Sequence, residues 1–127
     1  MKGGVILKRI TRNGLLLILV VLLIVGCGGQ RGYKNVNVEE AKALIVETKD
    51  LVILDVREQY EFDAGNLPGS ILIPSGLLEQ NINQLDKEKS ILVVCATGAR
   101  SAAAAAFLVE KGFAKVYNLS PGLVTWQ

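Results

Sequence analysis

One short segment of the chain combines the residue types needed for nucleophilic chemistry. Cys95 directly follows the apolar run 91–94, and Arg100 lies five residues further on. The small residues between them allow a tight curl, in which Gly98 can adopt a positive φ. Inward amides of such a loop, with the N-terminus of a following helix, hold an anion at the centre and favour a thiolate. We therefore predict Cys95 as catalytic residue and, as binding residues, Ala96, Thr97, Gly98, Ala99, Arg100 and Ser101.

The segment by itself also fits a structural interpretation. Cys95 would then be a small, inert side chain packed at the end of a strand. Arg100 would be a solvated residue at the start of a helix. The two interpretations differ in whether the thiol reacts.

The composition restricts the chemistry open to this cysteine. The 127 residues contain no histidine and two cysteines, Cys27 and Cys95. The absence of histidine excludes the Ser-His-Asp and Cys-His catalytic arrangements. Two cysteines are also a poor ligand set, so we expect no metal site and no cofactor.

The distribution of charge argues against a nucleic-acid partner. The chain has 14 basic and 12 acidic residues, a net charge of +2. Four basic residues lie within residues 1–26, which hold no acid, so the rest carries ten basic and 12 acidic residues. A mildly acidic body lacks the basic surface that nucleic-acid binding requires.

A second pair of candidates, Asp55 and Arg57, follows the apolar run 51–54. Ligands of parallel sheets bind at the carboxyl ends of the strands, where we expect Asp55 to lie near the cysteine loop. Both residues could orient that loop or the substrate. We favour a structural role, in which Asp55 caps loop amides or pairs with an arginine. Arg57 would then pair with Glu58 or Glu61.

Apolar runs and capping signals predict alternating strands and helices. Asn37 and Glu40 form a capping-box pattern at the start of a helix that extends to Val46. Strands are predicted over 51–54, 70–73, 91–94 and 115–119, and helices over 59–64, 77–85 and 102–111. This alternation predicts an α/β domain with a parallel sheet. The acids Glu58, Glu61 and Asp63 are interpreted as a solvated face.

The N-terminal residues predict a targeting signal. Basic residues precede Leu15–Val25, an unbroken run of eleven apolar residues. As a helix this run would rise about 16 Å, roughly half the hydrocarbon thickness of a bilayer. A secretory signal is therefore favoured over a transmembrane anchor.

The end of the apolar run, Ile24-Val25-Gly26-Cys27, resembles a bacterial lipobox. The resemblance implies cleavage before Cys27 and lipidation of its thiol and amino group. We expect a signal peptide over 1–26, the lipidated Cys27 and a flexible linker over 27–35, and a folded domain over 36–127. The product would be an exported lipoprotein, anchored in a membrane and facing the periplasm or the cell exterior.

Five motifs follow one another in the body of the chain: Asp55-Val56-Arg57-Glu58, Tyr60-Glu61-Phe62, Gly65-Asn66-Leu67-Pro68-Gly69-Ser70, Cys95-x-x-Gly98-x-Arg100-Ser101 and Gly122-x-x-x-Trp126. In this order they resemble the motifs of single-domain rhodaneses, over about residues 36–126. The resemblance implies an α/β fold with a five-stranded parallel sheet and helices on both faces. It also implies sulfurtransferase activity through a Cys95 persulfide.

The partners implied by the resemblance are a small sulfane-sulfur donor and a thiol or cyanide acceptor, or a periplasmic redox protein. Two positions depart from the family pattern. Asn66 replaces a common histidine, and Ala96 stands where thiosulfate-using members often have a cation. Ala96 therefore weakens the expectation that thiosulfate is the donor.

Three other functions are weighed against sulfur transfer. A non-catalytic binding or sulfur-sensing module, tethered to the membrane, would keep the fold without turnover. A phosphatase or arsenate reductase is disfavoured, because its Cys-x5-Arg loop is one residue longer than the Cys95–Arg100 segment. A redox relay, in which Cys95 forms a mixed disulfide with a periplasmic partner, is chemically possible but is disfavoured because the mature chain has no resolving cysteine.

Overall fold

The computed structural model describes residues 32–127. The predicted signal peptide, Cys27 and the start of the linker lie outside the described residues. The strands are β1 Lys34–Val36, β2 Val52–Asp55, β3 Ile71–Leu72, β4 Ile91–Val94 and β5 Val116–Leu119. The helices are α1 Val38–Glu47, α2 Gln59–Ala64, α3 Leu78–Asn81 and α4 Ala99–Glu110, with 3₁₀ turns at Ser75–Leu77, Ile82–Gln84 and Leu123–Thr125.

The five strands form one sheet in the order β1-β5-β4-β2-β3, and every adjacent pair is parallel. β4 lies in the middle, and its four residues are fully buried. A strand buried on both faces is apolar throughout, which explains the continuous run Ile91–Val94. The predicted five-stranded parallel sheet is confirmed.

Two apolar clusters cover the two faces of the sheet. Along β4, Ile91 and Val93 belong to the cluster that includes Leu108 of α4. The alternate residue Leu92 belongs to the cluster that includes Ala41 of α1. Because side chains of a strand alternate between faces, α1 and α4 pack on opposite sides of the sheet.

The capping box predicted for α1 is confirmed. The Asn37 side chain accepts a hydrogen bond from the Glu40 amide at 2.9 Å, and the Glu40 carboxylate accepts one from the Asn37 amide at 2.9 Å. These bonds satisfy two backbone donors that the first turn of a helix otherwise leaves free. The cap fixes where β1 ends and α1 begins.

Part of the predicted linker 27–35 belongs to a strand. Lys34 and Asn35 belong to β1 and pair in register with Tyr117 and Asn118 of β5. The linker prediction is therefore wrong for these two residues. Only Val36 of this edge strand is buried, so β1 is held by backbone pairing and shows no hydrophobic periodicity.

Two helix boundaries also differ from the predicted ones. α4 begins at Ala99, three residues before the predicted start, so Arg100 lies within its first turn. The segment predicted as one helix over 77–85 is broken into 3₁₀ and α turns. There the side-chain amide of Asn81 donates to the Leu77 carbonyl at 2.8 Å, a hydrogen bond that competes with a continuous helix.

Within residues 32–127, no helix has the length and apolar character to cross a membrane.

Candidate active site

The site forms at the carboxyl edge of the two central strands. Cys95 is the first residue after β4, and Asp55 is the last residue of the adjacent strand β2. Asp55 pairs in register with Val94, so the two candidate segments leave the sheet side by side. Cys95 and Asp55 are both fully buried. The expected meeting of the two segments at this edge is thus observed.

The sulfur of Cys95 lies in a cradle of donors from its own loop. The amides of Gly98 and Ser101 donate to Sγ at 3.2 and 3.3 Å. The Ser101 hydroxyl oxygen lies 3.3 Å from Sγ, accepting from the thiol or donating to the thiolate. Ser101 lies in the first turn of α4, where the helix dipole adds positive potential. The cradle therefore suits a negatively charged sulfur.

Two opposed influences act on the pKa of Cys95. Burial, the larger single influence, raises the pKa of the thiol because it removes the charged form from water. The Ser101 hydroxyl and the amides of Ser101, Gly98 and Thr97 lower it by stabilising the thiolate. Together the hydrogen bonds outweigh burial, so the pKa of Cys95 is below its ordinary value. A lowered thiol pKa is what a nucleophilic cysteine requires.

The backbone after β5 fixes the orientation of the cysteine loop. The amide of Leu123 donates to the Cys95 carbonyl at 2.8 Å, and that of Val124 donates to the Ala96 carbonyl at 3.0 Å. Gly122 has φ of 75°, and a side chain there would overlap the backbone of Ala96. These contacts hold the loop carbonyls toward the C-terminal turn and leave amides free to face the sulfur. The Gly122-x-x-x-Trp126 motif marked this turn in the sequence, but it did not indicate that the turn holds the cysteine loop.

Arg100 forms an ion pair with Glu61, a residue that the sequence analysis interpreted as solvent-exposed. Its two terminal nitrogens lie 2.7 and 2.8 Å from the two carboxylate oxygens of Glu61, 39 residues away in the chain. The side-chain hydrogen bond with Arg100 is the main influence that lowers the pKa of Glu61 to about 2. Interpreting Glu61 as part of a solvated acidic face was wrong. No local pattern pairs these two positions.

Asp55 and Arg57 form a buried pair with each other. The Arg57 Nη2 and Nε lie 2.8 and 3.0 Å from the two carboxylate oxygens of Asp55, and the Arg57 amide also donates to Asp55. Nη2 further donates to the Gly65 carbonyl at 2.7 Å. The predicted pairing of Arg57 with Glu58 or Glu61 is therefore wrong, because the nearer buried carboxylate binds it. The hydrogen bond with Asp55 is the main influence that raises the pKa of Arg57.

The remaining loop residues form the opening of the site. Ala96 is half-buried, whereas Thr97 and Ala99 are exposed. Beside Arg100 a groove of about 340 Å³ runs between α4 and the 75–79 segment, lined in part by Glu79 and Phe107. Within the described part of the chain, no group of three metal-ligating side chains occurs.

This arrangement suits covalent chemistry at sulfur. A thiolate held by amides attacks an electrophilic atom without a general base. The same amides stabilise negative charge on an atom bonded to Sγ. Asp55 and Glu61 are tied to arginines, so neither carboxylate is placed to move a proton at the thiol.

Comparison with known proteins shows what this chain resembles. Residues 37–127 match the family described as Rhodanese-like domain. The chain is 37% identical over 95 residues to Thiosulfate sulfurtransferase GlpE of Coxiella burnetii, covering 75% of this chain and 88% of the relative. It is 34% identical over 105 residues to the Putative sulfur carrier protein YrkF of Bacillus subtilis, covering 78% of this chain and 57% of the relative.

A solved structure agrees with the sequence relatives. The fold matches that of a rhodanese-like domain protein from Staphylococcus aureus with a TM-score of 0.69 and 32% identity. The alignment covers 74% of this chain and 91% of that protein. Nearly all of the described residues therefore have a counterpart in a known domain.

Proposed function

The chain belongs to the rhodanese-like domain family and is a rhodanese-type sulfurtransferase, and from this premise we propose that Cys95 carries the transferred sulfur. The observation that supports this role is the cradle at Sγ, with two amides within 3.3 Å. A lowered pKa of the Cys95 thiol supplies the attacking thiolate. A general base beside the thiol is not required, because the lowered pKa favours the thiolate.

In the first half-reaction the Cys95 thiolate attacks the sulfane sulfur of a donor. With thiosulfate, the donor's S–S bond breaks and sulfite leaves with the bonding electron pair. The product is a Cys95 persulfide anion. Its charged outer sulfur is bonded to Sγ, and the amides that lower the thiol pKa would also stabilise the persulfide.

In the second half-reaction a thiophilic acceptor takes the outer sulfur. Cyanide attacks that sulfur, the persulfide S–S bond breaks, and thiocyanate leaves while the Cys95 thiolate is regenerated. A thiol acceptor leaves as a new persulfide by the same bond exchange. The cycle needs no metal, cofactor or external reductant.

Intact-mass analysis tests the persulfide directly. The full chain carrying Cys27→Ala has Cys95 as its single thiol and is incubated with thiosulfate or with cysteine persulfide. We expect a gain of one sulfur atom, which cyanide removes as thiocyanate. No adduct from either donor, in a folded protein whose thiol reacts with an alkylating agent, would favour the binding or sensing module instead.

We also propose that the chain is an exported lipoprotein anchored through Cys27. The support comes from the sequence: the basic start, the eleven apolar residues and the Gly26-Cys27 junction. Attached acyl chains would hold the domain at a membrane surface facing the periplasm or the cell exterior. The acceptor would then be a thiol or a redox protein of that compartment.

Replacing Cys27 with alanine tests this anchor in bacterial cells. We expect the wild-type chain in the membrane fraction, lacking residues 1–26 and carrying added lipid mass. Cys27→Ala should remain uncleaved and without lipid. Cys95→Ser is the matched control, since it removes the other thiol and should keep the lipid. A processed, unlipidated Cys27→Ala chain would show an ordinary signal peptide.

A further inference from the structure

The geometry points to Glu61 as a positioning residue that acts through Arg100 to select organic persulfides over thiosulfate as sulfur donor. The inference rests on the proposed function and adds the class of donor. Arg100 lies in the first turn of the helix that follows the cysteine loop, five residues after Cys95. It is the arginine best placed to attract an anionic donor to the thiolate.

The Glu61 carboxylate binds the guanidinium group of Arg100 in a bidentate pair. Both terminal nitrogens of Arg100 are bound, at 2.7 and 2.8 Å, by the two carboxylate oxygens. The Glu61 and Arg100 side chains are 18% and 37% exposed, so water competes only partly for the pair. A bidentate, partly shielded pair leaves Arg100 few free donors for a second anion.

The position of Glu61 is itself fixed by the backbone of α2. Its carboxylate accepts a hydrogen bond from the Glu58 amide at 2.9 Å, as the last member of a capping box. The pKa of Glu61 is about 2, with the Arg100 hydrogen bond as the main cause and the Glu58 amide as the second. The carboxylate therefore stays charged, and Arg100 stays neutralised, throughout the neutral pH range.

At the rim, meaning the residues around the opening of the cysteine loop, neither the other described arginine nor the residue after the cysteine supplies a free positive charge. Arg57, the second arginine within residues 32–127, is paired with Asp55. The loop position after the cysteine is the uncharged Ala96. Four of the lysines lie at or shortly before the starts of strands, at the opposite edge of the sheet: Lys34, Lys49, Lys89 and Lys115. Charge compensation at the thiolate comes from backbone dipoles and the Ser101 hydroxyl.

The donors differ in the charge that they bring to this neutral rim. Thiosulfate is a dianion, so its attack by the thiolate concentrates three negative charges at the loop. An organic persulfide, R–S–SH, is neutral when protonated. The Cys95 thiolate attacks its outer sulfur, the S–S bond of the donor breaks, RS⁻ leaves with the electron pair, and the proton stays on the outer sulfur of the Cys95 persulfide. A rim without a free cation favours the second reaction.

Glu61→Gln in the full chain tests the inference, because it keeps the shape of the side chain and removes the charge. We expect the KM for thiosulfate to fall about five- to twentyfold, from freeing one charge near the donor, with kcat within about twofold. The KM for cysteine persulfide should change by less than about twofold. Adding Arg100→Gln to Glu61→Gln should remove the gain, since the effect acts through that cation.

Glu79→Gln is the matched control. Glu79 lines the same groove as Arg100 but has no ion-pair partner within residues 32–127. Its neutralisation removes the same charge without releasing the arginine, so both KM values should stay within about twofold. An equal gain in Glu79→Gln and Glu61→Gln would overturn the inference, because it would reflect only the net charge.

A second measurement uses the wild-type protein and does not depend on the variant folding. A free arginine near the thiolate would make the thiosulfate KM rise several-fold between low salt and about 1 M salt. A neutralised arginine predicts a KM that stays flat or falls, because salt screens the repulsion between the thiolate and the dianion. A steep rise, or an unchanged thiosulfate KM in a folded Glu61→Gln, overturns the role of Glu61. If neither donor forms a persulfide on Cys95, the proposed function itself fails.

Discussion

Replacing Cys95 with serine is expected to lower sulfur transfer by about four orders of magnitude or more, because the residue that forms the covalent intermediate is lost. A serine hydroxyl remains protonated at neutral pH and attacks sulfane sulfur poorly. The amide cradle lowers the pKa of a thiol. The pKa of a serine hydroxyl is so much higher that the same cradle leaves the hydroxyl protonated at neutral pH. Thiocyanate formation from thiosulfate and cyanide measures the loss.

The same substitution should leave the fold nearly unchanged. The new hydroxyl would lie among the Gly98 amide, the Ser101 amide and the Ser101 hydroxyl, so its polar atom is satisfied although it is buried. We expect the unfolding temperature to stay within about 5 °C of that of the parent. Cys27→Ala serves as the control background, since it removes the other thiol and should retain turnover. Turnover by the folded Cys95→Ser protein would contradict the proposed mechanism.

Replacing Gly98 with alanine is expected to have the largest effect on stability. Gly98 has φ of 91°, a left-handed conformation that side chains disfavour. A Cβ there would overlap the carbonyl oxygen of Ser120, which belongs to the backbone just after β5. Since backbone cannot rotate away as a side chain does, the loop must shift. We expect a loss of about 3 kcal/mol in the free energy of unfolding and a fall of about 10–20 °C in unfolding temperature.

The shift should also reduce activity. The Gly98 amide donates to the Cys95 sulfur at 3.2 Å, and moving it removes one donor to the thiolate and to the persulfide. Loss of one such donor lowers turnover by about a hundredfold in comparable anion-stabilising sites. The pKa of the Cys95 thiol should rise, which is measured from the pH dependence of its alkylation rate.

Two other glycines separate the causes of the destabilisation. Gly69 has φ of 76° in open space, so Gly69→Ala should cost only the conformational strain, about 1 kcal/mol. Gly76 is also in open space and shows no positive φ, so Gly76→Ala should change stability by less than about 0.5 kcal/mol. If Gly98→Ala were no less stable than Gly69→Ala, the contact with Ser120 would not be restrictive.

Local sequence patterns predicted the elements that carry the site. The run Ile91–Val94 predicts a buried strand because both of its faces are covered, and a parallel sheet places the residues after such a strand at the ligand-binding edge. Small residues after Cys95 and a helix beyond them predict a loop of inward amides. The Asn37–Glu40 capping box was also predicted from four consecutive residues. Each of these features depends on neighbours within one turn or one strand.

Features without a local signal were missed. β1 is an edge strand with one buried residue, so its existence depends on backbone pairing with β5, which lies about 80 residues away in the chain. The start of α4 at Ala99 depends on the left-handed Gly98, whose conformation is fitted against Ser120. Neither contact leaves a periodic pattern in the sequence.

Residue type and spacing along the chain were enough to predict a nucleophile with its surrounding loop and to identify the family. The pairing of charges, in contrast, depends on how separate elements pack. Arg100 could pair with any nearby acid, and the folded chain brings Glu61 of α2 to it. Arg57 likewise pairs with Asp55 rather than with the glutamates that come after it. Ion pairs of this kind depend on distances and burial between distant segments, and these set the charge that a sulfur donor meets at Cys95.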